Sequence, residues 1–306
     1  MPLSCSVVHA PRSLWRTLAT HRSGFGDPTT HLADTEFRRA TLTPEGPGTI
    51  RLRWAADPAH PVDCGLDAEA WGPGRDWLLG GVESLIGSHD RSVKFAGAHP
   101  VVDRALRTRR TTRFGASHSL YHQLLPTVIA QRITGGEALK QWVALCRALG
   151  TKPPGPVDVV ADLLLPPHPS VLRRQPLWWF HPLGIEGRRA ATLVECARHA
   201  DKMWNWSHPE AARKLPLLRG VGPWTTGSVL GPVYGDADAV AVGDYHYPNI
   251  VAYALAGEAR ASDERMLELL EPYQGQRGRV LRDLITTAGP APSFGPRQRI
   301  LPMSRW

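Results

Sequence analysis

The chain has 306 residues, 42% of them hydrophobic, enough for two or three small domains around a substantial apolar core, so disorder is not expected. Its 36 Lys and Arg against 28 Asp and Glu give a formal net charge of +8 and a pI near 9.7, which favours a polyanionic partner, either nucleic acid or an anionic membrane. With no basic start leading into an apolar run and no long apolar stretch, neither a signal peptide nor a membrane span is expected, and the membrane reading loses weight.

The first 35 residues or so mix Arg, His, Gly and Thr without periodicity, and an ordered start is expected near Phe37. From there the chain reads as strands. Pro44, Gly46, Pro47 and Gly48 make a turn, and Thr49 to Trp54 alternates apolar and basic residues, the pattern of a half-buried antiparallel sheet. After Trp71-Gly72-Pro73-Gly74 the spacing becomes helical. Arg104, Arg107, Arg109, Arg110 and Arg113 crowd together there, as a solvated helix face or a phosphate-contacting surface.

Helices dominate from His118. Thr134-Gly135-Gly136-Glu137 has the capping-box arrangement, and Leu139, Trp142, Val143, Cys146 and Leu149 mark the inner face of a helix that stops at Gly150. The Pro-rich segment from Pro153 to Pro169 reads as a surface connection. A second amphipathic helix, from about Gly187 to Ala200, turns Ala190, Leu193, Val194 and Ala197 inward, and Ser207-His208-Pro209-Glu210 opens a short third one.

That short helix leads into Leu215-Pro216-Leu217-Leu218-Arg219-Gly220-Val221-Gly222-Pro223-Trp224-Thr225-Thr226. Here a Gly-x-Gly turn separates two helices, and Pro223 suits the first position of the second one, where its missing N–H costs nothing. The glycines bring bare N–H groups to a helix N-terminus, a ready anion site for a phosphate. Gly-x-Gly alone is weakly specific, and an ordinary tight turn has the same residues.

The downstream segment adds specificity, because Val240-Ala241-Val242-Gly243-Asp244 ends on an acid 20 residues after Trp224. The whole stretch resembles the helix-hairpin-helix and Gly-Pro-Asp module of the base-excision DNA glycosylase superfamily, in particular the bacterial 3-methyladenine DNA glycosylase II branch. Three further segments are similar to that family: Leu124 to Arg132, Leu183 to Ala190, and Pro272-Tyr273-Gln274-Gly275-Gln276-Arg277. Together they span about residues 115 to 290.

The resemblance implies an α+β protein. Residues 1–35 would be a poorly defined segment and 36–114 an antiparallel sheet domain. Residues 115–290 would form a helical two-lobed glycosylase domain, with 291–306 as a tail.

The resemblance also implies a set of roles. Asp244 would be the catalytic carboxylate. DNA would be held by Arg132, the wedge that enters the base stack, and by Gln131, Arg219, Gly220, Gly222, Thr225 and Thr226. Trp224, Ser228 and Tyr245 would line the base pocket. The backbone carbonyls of Pro216, Leu218 and Val221 would hold a monovalent cation, Na+ or K+, beside the phosphate, with no other cofactor required.

The chemistry gives these roles their sense. Cleaving the bond from sugar to base builds oxocarbenium character on the deoxyribose, which a carboxylate stabilises. Asp244 is also a good helix cap for the residues after it, so capping is the alternative. Relatives that cut the strand use a lysine amine two residues beyond the second glycine; here Trp224 stands there, which implies hydrolysis without lyase chemistry. An indole face would also attract a cationic alkylated purine, although a core Trp is the alternative. Tyr245, His246 and Tyr247 suit either a pocket or a helix face.

Cys5, Cys64, Cys146 and Cys196 stand far apart without ligand spacing, as expected of reduced thiols in a cytoplasmic protein and not of an iron–sulfur cluster. Two departures from the family pattern bear on substrate: Ser228 replaces a pocket tyrosine and Arg132 a wedge leucine. The expected function is therefore a monofunctional glycosylase that flips alkylated purines out of damaged double-stranded DNA, with no membrane and no obligate protein partner. A non-catalytic DNA-binding protein, or a glycosylase for bulkier or other damaged bases, is the alternative.

Overall fold

The computed structural model describes residues 3–5, 11–55, 65–91, 99–109, 112–288 and 291–292. The strands β1 (Leu3–Cys5), β2 (Thr30–Leu32), β3 (Glu36–Thr43), β4 (Gly46–Trp54) and β5 (Leu66–Trp71) form one antiparallel sheet in the order β1-β5-β4-β3-β2. The expected alternation in β4 is real: Ile50, Leu52 and Trp54 are buried and Arg53 is exposed. Short helices α1 (Pro11–Leu18), α2 (Arg75–Gly80) and α3 (Val82–Leu85) share a core with the sheet, in which Leu14, Leu18, Phe37, Ile50 and Leu52 are buried together.

Helix α4 (Pro100–Arg109) leaves the sheet and packs in the far lobe, where Val102 is buried. It carries Arg104 and Arg107 on its exposed side. Arg113 is half-buried and donates to the Asp90 carbonyl at 2.6 Å. Arg110 lies outside the described residues.

The middle lobe contains α5 (Leu120–Ile129), α6 (Gly135–Leu149), α7 (Val157–Val160), α8 (Pro169–Leu172), a 3-10 turn over Leu177–Leu183, α9 (Gly187–Met203), α10 (His208–Lys214) and α11 (Pro223–Tyr234). The caps behave as their sequences require. The Thr134 side chain accepts from the Glu137 N–H, and Ser207 and Glu210 complete a reciprocal box. Ala190, Leu193, Val194 and Ala197 of α9 are all buried. So are Trp142 and Cys146 of α6, while Leu139 and Leu149 lie at the edge of this core.

The last lobe adds α12 (Tyr247–Ala256), α13 (Asp263–Leu270) and α14 (Arg277–Thr287), whose Val251, Met266, Leu270 and Leu284 bury against α4.

The architecture is the expected α+β one, with two corrections to its boundaries. Ordered structure precedes Phe37: α1 and β2 belong to the sheet layer, and Thr30 of β2 pairs with Arg39. The helical part begins before residue 115, because α4 packs on α14. The helical spacing after Gly74 already pointed to the second, whereas β2, at three residues, is too short to show a periodicity.

β3 is buried almost throughout. Its Phe37 joins the sheet core, whereas Ala40 and Leu42 join the helical core. Polar contacts join the two layers as well. His122 of α5 meets Thr29 at 3.0 Å, Thr41 at 2.8 Å and Arg39 at 3.2 Å. The Trp142 indole N–H donates to Asp27 at 3.0 Å.

Candidate active site and hairpin

Helix α10 runs into a 3-10 turn, Leu215–Leu217. Leu215, Leu218 and Val221 then anchor the turn in the core, while Pro216, Leu217, Arg219 and Gly220 are exposed. Gly220 has φ +86, and a methyl at its Cβ position would overlap the Thr192 hydroxyl of α9. Both facts require glycine. Gly222 is the N-cap of α11 and Pro223 its first residue, so the N–H groups of Trp224 and Thr225 have no carbonyl within the helix to bond.

The residues expected to grip DNA divide here. Arg132, Arg219 and Gly220 are exposed and Gly222 half-buried, but Thr225 and Thr226 are buried, so their contribution to a phosphate is limited to backbone. Gln131 also turns inward. Its amide N–H donates to the Gly220 carbonyl at 2.9 Å and to Thr225 Oγ1 at 2.9 Å, so it braces the hairpin and sets Arg132 beside it. Polar residue type indicates hydrogen bonding in such a segment but not its direction.

Arg132 itself has φ +59, a left-handed conformation that costs a non-glycine residue about 1–2 kcal/mol. The chain just before it is held from behind by buried Arg189, which donates to the Ile129 carbonyl at 2.8 Å and to Gln141 Oε1 at 2.7 Å. Burial pushes the Arg189 guanidinium below its ordinary pKa, with nearby Glu186 and Glu137 opposing that shift.

Asp244 stands on a loop clamped from two sides. A methyl on Gly227 of α11 would strike the Val240 carbonyl, and one on Gly278 of α14 the Ala239 carbonyl. The Arg279 N–H donates to the Ala237 carbonyl at 2.8 Å, and Arg277 binds Asp238 through its backbone N–H at 2.9 Å and its side chain. This accounts for the Pro272 to Arg277 segment: it leads into the helix that fastens the acid's loop.

The Asp244 carboxylate is half-buried. Its Oδ2 accepts from Trp224 Nε1 at 3.0 Å, and its Oδ1 from the N–H groups of His246 at 2.8 Å and Tyr247 at 3.1 Å. Asp244 thus caps the start of α12, as the capping reading expects, and bonds Trp224 as well. Burial first, and the Asp244 charge second, raise the pKa of the neighbouring Tyr247 phenol.

An open cleft of about 310 Å³ is lined by Phe114, Gln123, Ser228, Tyr247 and Arg282, among others, but not by Asp244. Ser228 is among the lining residues, its hydroxyl donating to the Trp224 carbonyl at 2.7 Å. Trp224 is half-buried at the start of the same helix. Trp224 does not line the cleft, and neither does Tyr245. Tyr245 is 85% exposed, edge-on to His246 with ring centres 5.0 Å apart.

That Phe114, just before α5, and Gln123 of α5 meet Arg282 of α14 at one cleft was not legible, because α14 lies far beyond α5 along the chain. The Arg282 guanidinium lies 3.5 Å over the Phe114 ring. Among the described residues no cluster of His, Cys, Asp and Glu has metal-binding geometry. Cys146 and Cys196 are buried free thiols, and burial pushes the Cys196 thiol up to about 12.

No protein-family model matches the chain, and no curated protein does. Solved structures do. A 3-methyladenine DNA glycosylase from Archaeoglobus fulgidus superposes with a TM-score of 0.69 at 15% identity, over 92% of this chain and 96% of that one. The 8-oxoguanine glycosylase/lyase of Clostridium acetobutylicum, solved with double-stranded DNA carrying cytosine opposite 8-oxoguanine, gives 0.63 at 13% identity over 93% and 96%. The chain has the fold of these DNA glycosylases. The superpositions run over nearly the full length of each chain.

Proposed function

We propose that this protein is a monofunctional DNA glycosylase of base-excision repair, which flips a damaged base out of duplex DNA and hydrolyses its bond to the sugar, leaving an abasic site. The observation that carries the reading is the half-buried Asp244 carboxylate, fixed by Trp224 and the first turn of α12 at the end of the loop beyond the hairpin. Base flipping needs a grip, a wedge and a receiving cleft. The hairpin around Gly220, the strained Arg132 and the cleft at Ser228 supply them. Asp244 then stabilises the positive charge that develops on the sugar and orients the attacking water.

Trp224 occupies the place where an amine nucleophile would stand, and an indole forms no Schiff base. Strand cleavage is therefore not part of the proposed reaction. The carbonyls of Pro216, Leu218 and Val221 fit a monovalent cation as neutral hard donors, in a turn fixed by the Val221 N–H on the Leu218 carbonyl at 3.0 Å. Such an ion would add positive charge beside the bound phosphate.

The lesion class we favour is an alkylated purine of the 3-methyladenine kind, whose positive charge makes it a good leaving group without a general acid. A second reading, a neutral damaged base, is favoured by Arg282 in the cleft, because a guanidinium opposes a cationic ligand at short range. Mass spectrometry of bases released from duplexes carrying methylated purines, hypoxanthine or 8-oxoguanine decides between them. Free base is expected, together with a strand that breaks only after alkali. Salt-sensitive binding with no base released from any duplex would favour the non-catalytic alternative, and breakage without alkali would remove the monofunctional assignment.

A further inference from the structure

We infer that Trp224 is a positioning residue for Asp244, acting through its indole N–H and not only through its ring face; the inference rests on the glycosylase reading for its consequence, but not for the contact itself. The two carboxylate oxygens are claimed from different elements. Trp224 of α11 donates to Oδ2 at 3.0 Å, while the N–H groups of His246 and Tyr247 at the start of α12 donate to Oδ1 at 2.8 and 3.1 Å. A carboxylate held only at Oδ1 would keep the broad torsional freedom of an aspartate χ2. The indole removes it and sets the plane of the group.

All three donors are neutral. Among the described residues no ion pair involves Asp244, and nearby Asp263 holds the Gly243 N–H at 3.0 Å. A lysine or arginine at position 224 would orient the acid while cancelling its charge. The indole orients it and leaves the full negative charge for a cationic sugar, which is what electrostatic stabilisation by a preorganised group requires.

Trp224→Phe keeps an aromatic ring and loses the donor. Single-turnover base release is expected to fall on the order of 10- to 100-fold, the range for a hydrogen bond to a charged group, with affinity for duplex DNA unchanged. Base release as fast as in the unsubstituted chain would overturn the inference.

A second measurement is independent of activity. In the NMR spectrum of the 15N-labelled protein, the Trp224 indole resonance, assigned by its loss in Trp224→Phe, is expected to move and to exchange faster with solvent in Asp244→Ala. If it does neither, the contact is absent and the inference fails. A chain that releases no base but shows the resonance shift overturns the glycosylase reading instead, and supports the link between Trp224 and Asp244.

Discussion

At the scale of single residues, the site depends on positions whose requirement is steric. Gly220 was legible as a turn residue because Gly-x-Gly before Pro has a recognisable conformational meaning. Gly227 and Gly278 were not, since what excludes a side chain there is a carbonyl from a distant stretch of chain. Gly227→Ala is accordingly expected to destabilise the protein by about 1–3 kcal/mol through overpacking and to displace the loop that ends at Asp244. Urea denaturation and the rate of base release check the two effects separately.

Arg132 gives the opposite expectation. Relief of its left-handed backbone should make Arg132→Gly no less stable, and up to about 1 kcal/mol more stable, while loss of the side chain proposed as the wedge is expected to weaken base flipping. A fluorescent base analogue placed at the lesion would report that loss as lower fluorescence on binding.

At the scale of elements, the caps and periodicities of α6, α9, α10 and α11 were readable because each is decided within a few residues. Which way Gln131, Thr225 and Thr226 face was not readable, because it depends on how α5 and α11 meet. The turn after α5 is fastened to α9 by Arg189, whose buried guanidinium serves Ile129 and Gln141 together. Arg189→Met leaves those acceptors unpaired and is expected to cost about 2–3 kcal/mol. The exchange of hairpin amides should rise with it, because Gln131 passes the same support on to Gly220. Equal hairpin protection in the variant would show that the two are uncoupled.

At the scale of the whole molecule, the sheet and the helical lobes are joined by buried polar groups that no periodicity reveals. His122 lies between Thr29, Thr41 and Arg39, and burial, aided by Arg39, holds its pKa well below the ordinary histidine value. Burial and Arg39 likewise push His21 down to about 3.

Both histidines are therefore neutral in the folded protein, and the unfolded chain is the state that takes up protons first as pH falls through ~6.5. Stability should be flat above that pH and should fall below it, by about 1.4 kcal/mol per pH unit for each histidine, continuing for His21 down to about pH 3. Thermal denaturation between pH 7.5 and pH 4.5 measures the slope, which His21→Gln is expected to make shallower.

The fold holds Asp244 against Trp224 of α11, the helix whose Ser228 lines the cleft, and the central claim of the proposed function is that this acid drives base excision. Single-turnover assays on duplex DNA containing a released lesion, with Asp244→Asn beside the unsubstituted chain, test that claim most directly. Asp244→Asn is predicted to lose excision by at least about 100-fold, the size of effect found for one preorganised electrostatic group, while still binding the duplex. Excision at the full rate in Asp244→Asn would contradict the claim.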